Sequence, residues 1–240
     1  MKSRIKIVWV LCGLATLLVL VERVVTSRAT FVARNAGRVT AIRRMWVDLF
    51  DYRRAQSAFP TLVNYGLDGK PASSWRLSVY SHAHSTKRPV DLTVSWDSPV
   101  NSKVIEAGKA VYGEGSSPGM TVGIYAFLED GGIFEHNSST IPNECAILLS
   151  VEVPQTHVWS APGDAAIDGN SLVLGSERLT MDGSLEGLVM FADGEVWKIT
   201  GPQGLKWAFA FANMEYAKTH SREKSKPVGC VKRFSPKQAH

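Results

Sequence analysis

The sequence predicts an α+β protein in which a long N-terminal helix precedes a region of short strands. Three observations carry this prediction: an uncharged run at Ile7–Val21, helical periodicity over residues 34–58, and short alternating runs after Pro60. Helices followed by a series of strands are typical of α+β architectures. A chain of 240 residues, 45% hydrophobic and 20% charged, is long enough to bury one sizeable core.

The uncharged run Ile7–Val21 contains fifteen residues and is followed by Glu22 and Arg23. About 20 residues are needed to cross a hydrocarbon core of about 30 Å, but flanking apolar residues and snorkelling basic side chains can extend a short span. We therefore predict a single-pass membrane anchor at residues 1–27. A cleavable signal peptide is the alternative, because Ser27-Arg28-Ala29 places small residues at the two positions that a signal peptidase reads.

Residues 28–58 are predicted to form an amphipathic helix. Its apolar residues recur mostly at steps of three and four: Val39, Ile42, Met45, Trp46, Leu49, Phe50 and Tyr52. Asn35-Ala36-Gly37 is a possible bend, and Phe59-Pro60 ends the helix because the residue before a proline avoids helical geometry. The favoured interpretation is a helix that packs its apolar stripe on a sheet, and the alternative is a basic face near anionic lipid.

Residues 59–217 read as one α+β domain with an antiparallel sheet. The predicted strands are Arg76–Tyr80, Asp91–Val94, Met120–Leu128, Ala146–Val153, Ser171–Leu174, Leu188–Ala192 and Glu195–Ile199. Asp193-Gly194 is a favourable connection between the last two strands, and Asn101–Tyr112 and Gly204–Tyr216 have helical spacing. In Ala146–Val153, wholly apolar positions alternate with positions that include polar residues, which predicts a sheet with one face in water.

Charge is distributed unevenly along the chain. Residues 1–58 hold 11 Lys/Arg and 3 Asp/Glu, residues 59–216 hold 9 and 18, and residues 217–240 hold 7 and 1. A nucleic-acid-binding domain concentrates positive charge on its folded body, whereas here the predicted body is acidic, so we expect no nucleic-acid partner. The polar and basic segment 218–240 is predicted to be a disordered tail.

Candidate catalytic patterns are incomplete. The run at 115–119 matches a nucleophile elbow around Ser117, but Pro118 lacks the backbone N–H that an oxyanion hole needs. No Cys, Asp or Glu completes a ligand set for His82 and His84 at a familiar spacing, and Asp168 lacks the spacing of a calcium loop. We therefore predict no enzyme activity, no catalytic or metal site, no cofactor and no small-molecule ligand.

Four ordered motifs carry a resemblance to a known family. They lie at Ser74-Trp75-Arg76, at 95–101, at 143–153 and at 189–196. Their marker residues are Trp75, Trp96, Asp97, Pro99, Asn101, Glu152, Asp193 and Gly194. From about Val39 to Ile199 the chain resembles the bacterial prepilin-like domain-of-unknown-function family, which has an N-terminal methylation-type helix and a C-terminal His-x9-Asp-Gly motif. It is similar to a divergent member, because the family's histidine position holds Gly183 and Lys6 directly precedes the apolar run.

The resemblance implies a pilin-like fold: a long N-terminal α-helix, membrane-spanning in its first half, packed on an antiparallel β-sheet. It also implies a single-pass inner-membrane protein of the cell envelope, with its main domain in the periplasm and with other envelope or pilin-like proteins as partners. The expected function is that of a non-enzymatic membrane-anchored protein, a minor component of a pilus- or secretion-like assembly. The alternative is an exported ligand-binding, metal-binding or hydrolytic module with a site near His82, His84 or Asp168.

Cysteine usage adds one expectation. If the body is exported to an oxidising compartment, Cys145 and Cys230 could form a disulfide that ties the tail to the sheet.

Asp193-Gly194 is expected to be a tight turn, with glycine at a positive φ and aspartate bonded to nearby backbone.

Overall fold

The computed structural model describes residues 2–84, 90–112, 120–128, 132–134, 140–154, 161–174 and 177–234. Helix α1 spans Lys2–Gln56 and runs without interruption through the bend predicted at Asn35-Ala36-Gly37. The residue after the helix, Ser57, has a φ of 57°, the left-handed geometry that commonly follows a helix C-terminus. Pro60 follows three residues later, as expected for a chain that cannot continue the helix.

The second half of α1 packs on the body through the apolar stripe predicted from its periodicity. Ile42, Met45 and Leu49 are fully buried, and Ala41 is 4% exposed. These residues lie at helical steps of three and four and therefore share one face. Burial of this stripe attaches the helix to the core, at roughly 1.5–3 kcal/mol for each large aliphatic side chain.

The rest of the described chain alternates short strands and helices. In order they are β1 (Val63–Tyr65), β2 (Pro71–Ser74), α2 (Trp75–His84), a 3-10 turn (Pro99–Asn101), α3 (Ser102–Tyr112), β3 (Met120–Ala126), β4 (Ala146–Pro154), β5 (Ala165–Asp168), β6 (Ser171–Leu174), β7 (Glu177–Thr180), β8 (Glu186–Phe191), β9 (Val196–Thr200), α4 (Gly201–Ala212), α5 (Met214–Thr219), α6 (Arg222–Ser225) and β10 (Val231–Phe234). The class is therefore α+β.

The strands form three antiparallel sheets. The largest has the order β10-β9-β8-β4-β3, and the smaller sheets are β5-β6-β7 and β1-β2. A parallel bridge between Phe127 and Ala165 links the first two sheets. Helices α1 and α4 both contact β4 and β8, and the side chains Ala146–Val151 are buried on both faces of the strand. The prediction of a sheet with one wet face is therefore wrong, since even the polar Ser150 of this strand is fully buried.

The membrane predictions need correction. Among the residues whose side chains the structure describes, no helix is long and apolar enough to cross a membrane. The uncharged run Ile7–Val21 covers only about 22 Å at about 1.5 Å per residue, against a hydrocarbon core of about 30 Å. The predicted pilin-like fold with a membrane-spanning first half is thus wrong, as are the single span, the membrane partner and the inner-membrane location with a periplasmic domain. The division of the strands into three sheets also departs from the single sheet that was expected.

Two further segments differ from the sequence-based expectations. Arg76–Tyr80, predicted as a strand, lies in helix α2, and Asp91–Val94 forms turns. The segment predicted to be a disordered tail contains α6 and β10, and β10 pairs with β9 at the edge of the largest sheet. The chain from Arg222 to Phe234 is thus part of the folded body.

Candidate functional site

The Asp193-Gly194 motif forms the tight connection between β8 and β9. Gly194 has φ 82°, and its N–H donates to the Phe191 carbonyl at 3.0 Å. Asp193 Oδ1 accepts a hydrogen bond from the backbone N–H of Glu195 at 3.0 Å. Both features are typical of such a turn: glycine adopts a positive φ easily because it has no Cβ, and an aspartate side chain commonly accepts a hydrogen bond from the backbone N–H two residues later. This geometry directs the Asp193 carboxylate toward the C-terminal segment.

Arg222, the first residue of α6, lies at the centre of a cluster of carboxylates. Its guanidinium binds both oxygens of Asp193, contacts Glu195 Oε2 at 2.9 Å and Glu144 Oε2 at 3.2 Å. The guanidinium also lies over the Phe191 ring, 4.5 Å from its centroid. The Arg222 side chain is only 6% exposed. An arginine buried this deeply needs such partners, because its planar fork cannot lose its charge.

A second cation completes the network on its outer side. Lys232 of β10 contacts Glu195 Oε1 and Glu223 Oε1, each at 2.9 Å. Burial acts to raise the pKa of Glu195, but hydrogen bonds from Lys232 and Trp197 and the charge of Arg222 outweigh it, so this pKa is lowered. The hydrogen bond from Lys232 likewise lowers the pKa of Glu223. We call the group Glu144, Asp193, Glu195, Arg222, Glu223 and Lys232 the ionic latch, because it holds α6 and β10 on the sheet.

A separate buried pair joins α2 to β3 and to the segment before β5. Arg76 Nη1 donates to Asp164 Oδ1 at 2.7 Å, and both side chains are 1% exposed. The same oxygen accepts from Trp75 Nε1 at 2.9 Å and from the Ala126 N–H at 2.8 Å. Arg76 also donates to three backbone carbonyls, those of Ile124, Ala161 and Gly163. Burial raises the pKa of Asp164, and the Arg76 charge opposes this effect.

The remaining marker residues of the predicted motifs have local roles. Asn101 is fully buried and closes the 91–101 loop: its amide donates to the Asp91 carbonyl at 2.7 Å and accepts from the Asp91 N–H at 3.1 Å. Pro99 begins the 3-10 turn, and Asp97 accepts from the Ser95 hydroxyl at 2.5 Å. Trp96 in the loop and Glu152 on β4 are half-buried. The structure therefore brings Asp193, but none of these five residues, into the ionic latch.

The residues of the alternative ligand or metal site lie apart. His82 and His84 are two positions apart in α2, so their side chains diverge by about 200°. His82 contacts the Tyr52 ring, whereas His84 lies near Asp48. Asp168 ends β5 at a hairpin and pairs with Arg178 at 2.7 Å. Within the described ranges, no three His, Cys, Asp or Glu side chains are grouped to hold a metal ion. The 115–119 run lies outside the described residues.

The two cysteines predicted to form a disulfide are both free thiols. Cys145 is fully buried, and burial raises its pKa to about 12. Its sulfur lies 3.6 Å from the Ala212 carbonyl, whereas Cys230 lies beside Gly204 on the same helix, α4, two turns away. Burial also raises the pKa of Cys230. A raised thiol pKa disfavours the thiolate, so neither residue has the character of a nucleophile.

An open groove runs along β1. It has a volume of about 500 Å³ and is lined by residues 61–65, Leu92 and Thr93. Its lining offers hydroxyl, amide and aliphatic groups. This composition suits binding better than acid–base catalysis, which needs titratable groups placed within reach of each other.

Comparisons of the chain with protein-family models, with curated proteins and with solved structures give no match. The family resemblance drawn from the four motifs is therefore untested and remains a prediction.

Proposed function

We propose that this chain is a non-enzymatic assembly protein whose helix α1 packs against the same helix in other copies. The observation that carries the proposal is the change of exposure along α1. The described side chains between Leu20 and Ala36 are exposed, and Arg38 is the first side chain of α1 that is buried among those the structure describes. The second half of α1 belongs to the core, whereas the described side chains of its first half are available for contacts beyond the body.

The chemistry of the first half supports a helical partner. Leu20 and Val21, which end the uncharged run Ile7–Val21, are 55% and 51% exposed, and Val25, one turn further along the helix, is 60% exposed. An uncharged run such as Ile7–Val21, apolar on every side of a helix, favours burial against other apolar surface. Copies of the same helix provide apolar surface on several sides at once, and side chains of facing helices can interlock. Residues 2–37 extend over about 53 Å at about 1.5 Å per residue, which is enough for many such contacts.

The polar clusters of the body support a role in binding rather than in catalysis. The ionic latch and the Arg76–Asp164 pair join cations to carboxylates with short contacts, and both connect distant parts of the chain. Groups committed to mutual pairing in this way are poor acids, bases or nucleophiles. We therefore assign them to the stability of the body that α1 carries.

The test is the mass of the purified full chain in solution, measured by sedimentation velocity across a range of concentrations. We expect the wild type to form species heavier than the 26.3 kDa monomer. The double variant Val21→Glu with Val25→Glu should shift the distribution toward the monomer, because charges in a helix interface are unpaired and desolvated. The matched control is Leu67→Glu with Val100→Glu, at positions 95% and 67% exposed on the body.

The control should associate as the wild type does. A wild type that stays monomeric at every concentration would overturn the proposal. So would association that survives the double change in α1 but is lost in the control, since the interface would then lie on the body.

A further inference from the structure

Strand β1 is an edge of the small sheet β1-β2 and lines the open groove. Among the described strands it pairs with β2 alone, and the groove is bounded by residues 61–65 together with Leu92 and Thr93. The groove volume of about 500 Å³ lies within the range of about 300–1,000 Å³ that is typical of ligand sites. An unpaired strand edge beside such a groove is a template for another extended chain.

Two residues of β1 direct their backbone groups away from β2. The Leu62 carbonyl accepts a hydrogen bond at 3.0 Å from the first N–H of α2, which directly follows β2. The Gly66 N–H donates to the Lys70 carbonyl at 2.8 Å. Because alternate residues of a paired strand direct their backbone groups to opposite sides, those of Val63 and Tyr65 point outward, where no described strand pairs with them.

The Asn64 side chain fixes β1 to the body before any partner binds. Its amide donates to the Ser78 hydroxyl at 2.9 Å, to the Ser73 hydroxyl at 3.0 Å and to the Ser74 carbonyl at 3.3 Å. These acceptors belong to α2 and β2, and all three serines are buried. An edge held in this way has little conformational freedom to lose when a partner binds.

The chemistry of the groove indicates an uncharged partner. None of the described residues that line the groove is charged, and Tyr65 among them is 64% exposed. The β10 edge of the largest sheet differs, because β10 carries Lys232 and Arg233. Basic side chains commonly protect a strand edge from further pairing, and β1 lacks them. A charged side chain seated in the groove would lose hydration without gaining a counter-charge.

We propose that β1 is a docking edge for an extended, uncharged segment of a partner protein, which adds to β1 as a third strand. The outward N–H and carbonyl groups of Val63 and Tyr65 pair with the backbone of the segment, and its alternate side chains lie against Leu92 and Thr93. A second copy of β1 fits less well, because its own residues 92 and 93 stand beside the edge that it would offer. Residues 61–65 belong to the body, so the proposal does not depend on the packing of α1.

The experiment selects ligands for the full wild-type chain from a displayed library of random peptides of about nine residues, long enough to cover the edge as one strand. We expect the selected peptides to share an uncharged core rich in β-branched residues, which favour extended backbone. One selected peptide is labelled with fluorescein, and its dissociation constant is measured by fluorescence anisotropy. A library that yields no binder, or only binders with a charged core, overturns the proposal.

The variant Val63→Pro removes an outward N–H from the edge, where proline is tolerated because this N–H does not pair with β2. We expect it to bind the peptide about tenfold more weakly than the wild type, or worse. The matched control is Val228→Pro, at a wholly exposed position. There the Cys230 N–H donates to the Pro227 carbonyl at 3.2 Å, and Gly229 has φ 92°. Proline is favoured at the second position of such a turn, so the control should bind as the wild type does.

Thr93→Trp blocks the groove from its other wall and leaves the backbone of β1 unchanged, so the test does not depend on how Val63→Pro folds. It should weaken peptide binding by a similar factor. Equal binding of the peptide by the wild type and by both groove variants overturns the proposal. Loss of self-association in Val63→Pro, measured by sedimentation velocity, overturns it as well, because the edge would then serve a second copy.

N-methylation of the peptide separates backbone pairing from side-chain contact. Only alternate residues of an added strand direct their N–H groups to β1. Methyl groups on one set of alternate residues should therefore abolish binding, whereas methyl groups on the intervening set should be tolerated. Equal sensitivity of the two sets to methylation overturns the proposal, since the peptide would then not bind as a strand.

Discussion

Substitution of Arg222 by methionine would remove the central cation of the ionic latch while keeping most of the side-chain volume. Asp193, Glu195 and Glu144 would then face one another, with Lys232 left as the neighbouring cation on the outer side. Removing one partner from a buried ion pair typically costs about 3–5 kcal/mol, because the remaining charges are desolvated without compensation. Arg222 belongs to this class, since its side chain is 6% exposed.

That loss converts into a measurable shift of the unfolding midpoint. For chains of 150–250 residues, 1 kcal/mol corresponds to roughly 2–4 °C, so we expect Arg222→Met to lower the midpoint by about 6–20 °C at pH 7. The matched control is Arg233→Met on β10, an exposed arginine in the same segment. A surface substitution of this kind should change stability by less than about 0.5 kcal/mol.

The pH dependence of the difference tests the electrostatic origin of the effect. Glu195 has a lowered pKa in the folded chain, to which the Arg222 charge contributes. A carboxyl group whose pKa is lower in the folded chain than in the unfolded chain stabilises the fold at every pH above its ordinary pKa. This stabilisation is lost as the pH falls through the lowered pKa of the folded chain. The gap between wild type and Arg222→Met should therefore be complete at pH 7 and shrink below about pH 4.5, where the carboxyl groups become neutral. A shift no larger than that of Arg233→Met, or a gap that does not change in acid, would refute the reasoning.

Two further substitutions test other parts of the body, with thermal or denaturant unfolding as the measurement. Asp164→Asn should destabilise the fold by about 3–5 kcal/mol, because the fully buried Arg76 loses its counter-charge while the side-chain shape is retained. A loss below 1 kcal/mol would mean that the backbone carbonyls around Arg76 are sufficient. Gly194→Ala should cost about 1 kcal/mol or more, since φ is 82° there, whereas Gly183→Ala, with ordinary φ and open space at the Cβ, should be close to neutral. Similar effects at both positions would contradict the turn assignment.

Periodicity predicted the elements that have one polar and one apolar face. The stripe of α1 at Ile42, Met45 and Leu49 is buried as its spacing indicates. Ser171–Leu174 coincides with β6, and the helix predicted at Asn101–Tyr112 appears as the 3-10 turn followed by α3. These patterns are readable because one side of each element faces water or a less crowded surface, which preserves the repeat of 2 or 3.6 residues.

Helix α2 shows where this reasoning fails. Its first six residues, 75–80, are all buried, including Arg76 and Ser78. A helix without a solvent-facing side has no polar stripe, so the alternation of Leu77 and Val79 with polar neighbours resembles a strand. The polar members are tolerated inside because distant groups satisfy them: Asp164 and backbone carbonyls bind Arg76, and Asn64 donates to the Ser78 hydroxyl at 2.9 Å. Local pattern carries no information about such partners.

The charge composition of the C-terminal segment indicates that it docks on the body, although local propensity predicts that the segment is disordered. Residues 217–240 carry seven basic side chains and one acidic side chain, and residues 59–216 carry twice as many acidic as basic ones. Taken alone, this C-terminal segment is polar and poor in apolar residues, and such a composition predicts disorder. Compared with the body, however, the segment is rich in cations and the body is rich in anions, so electrostatic attraction between the two is expected.

In the structure, two cations of the C-terminal segment form ion pairs with carboxylates elsewhere in the chain. Arg222 and Lys232 bind carboxylates contributed by the β8–β9 connection, which holds Asp193 and Glu195, and by Glu144. The sequence separations are 78 residues for Arg222 and Glu144 and 29 for Arg222 and Asp193. Charge balance between segments can therefore predict that a tail docks, whereas the choice of partners depends on which carboxylates the sheet and its turns place together. The Asp193-Gly194 turn supplies that placement, so a motif recognised for its backbone geometry also determines where the C-terminal segment binds.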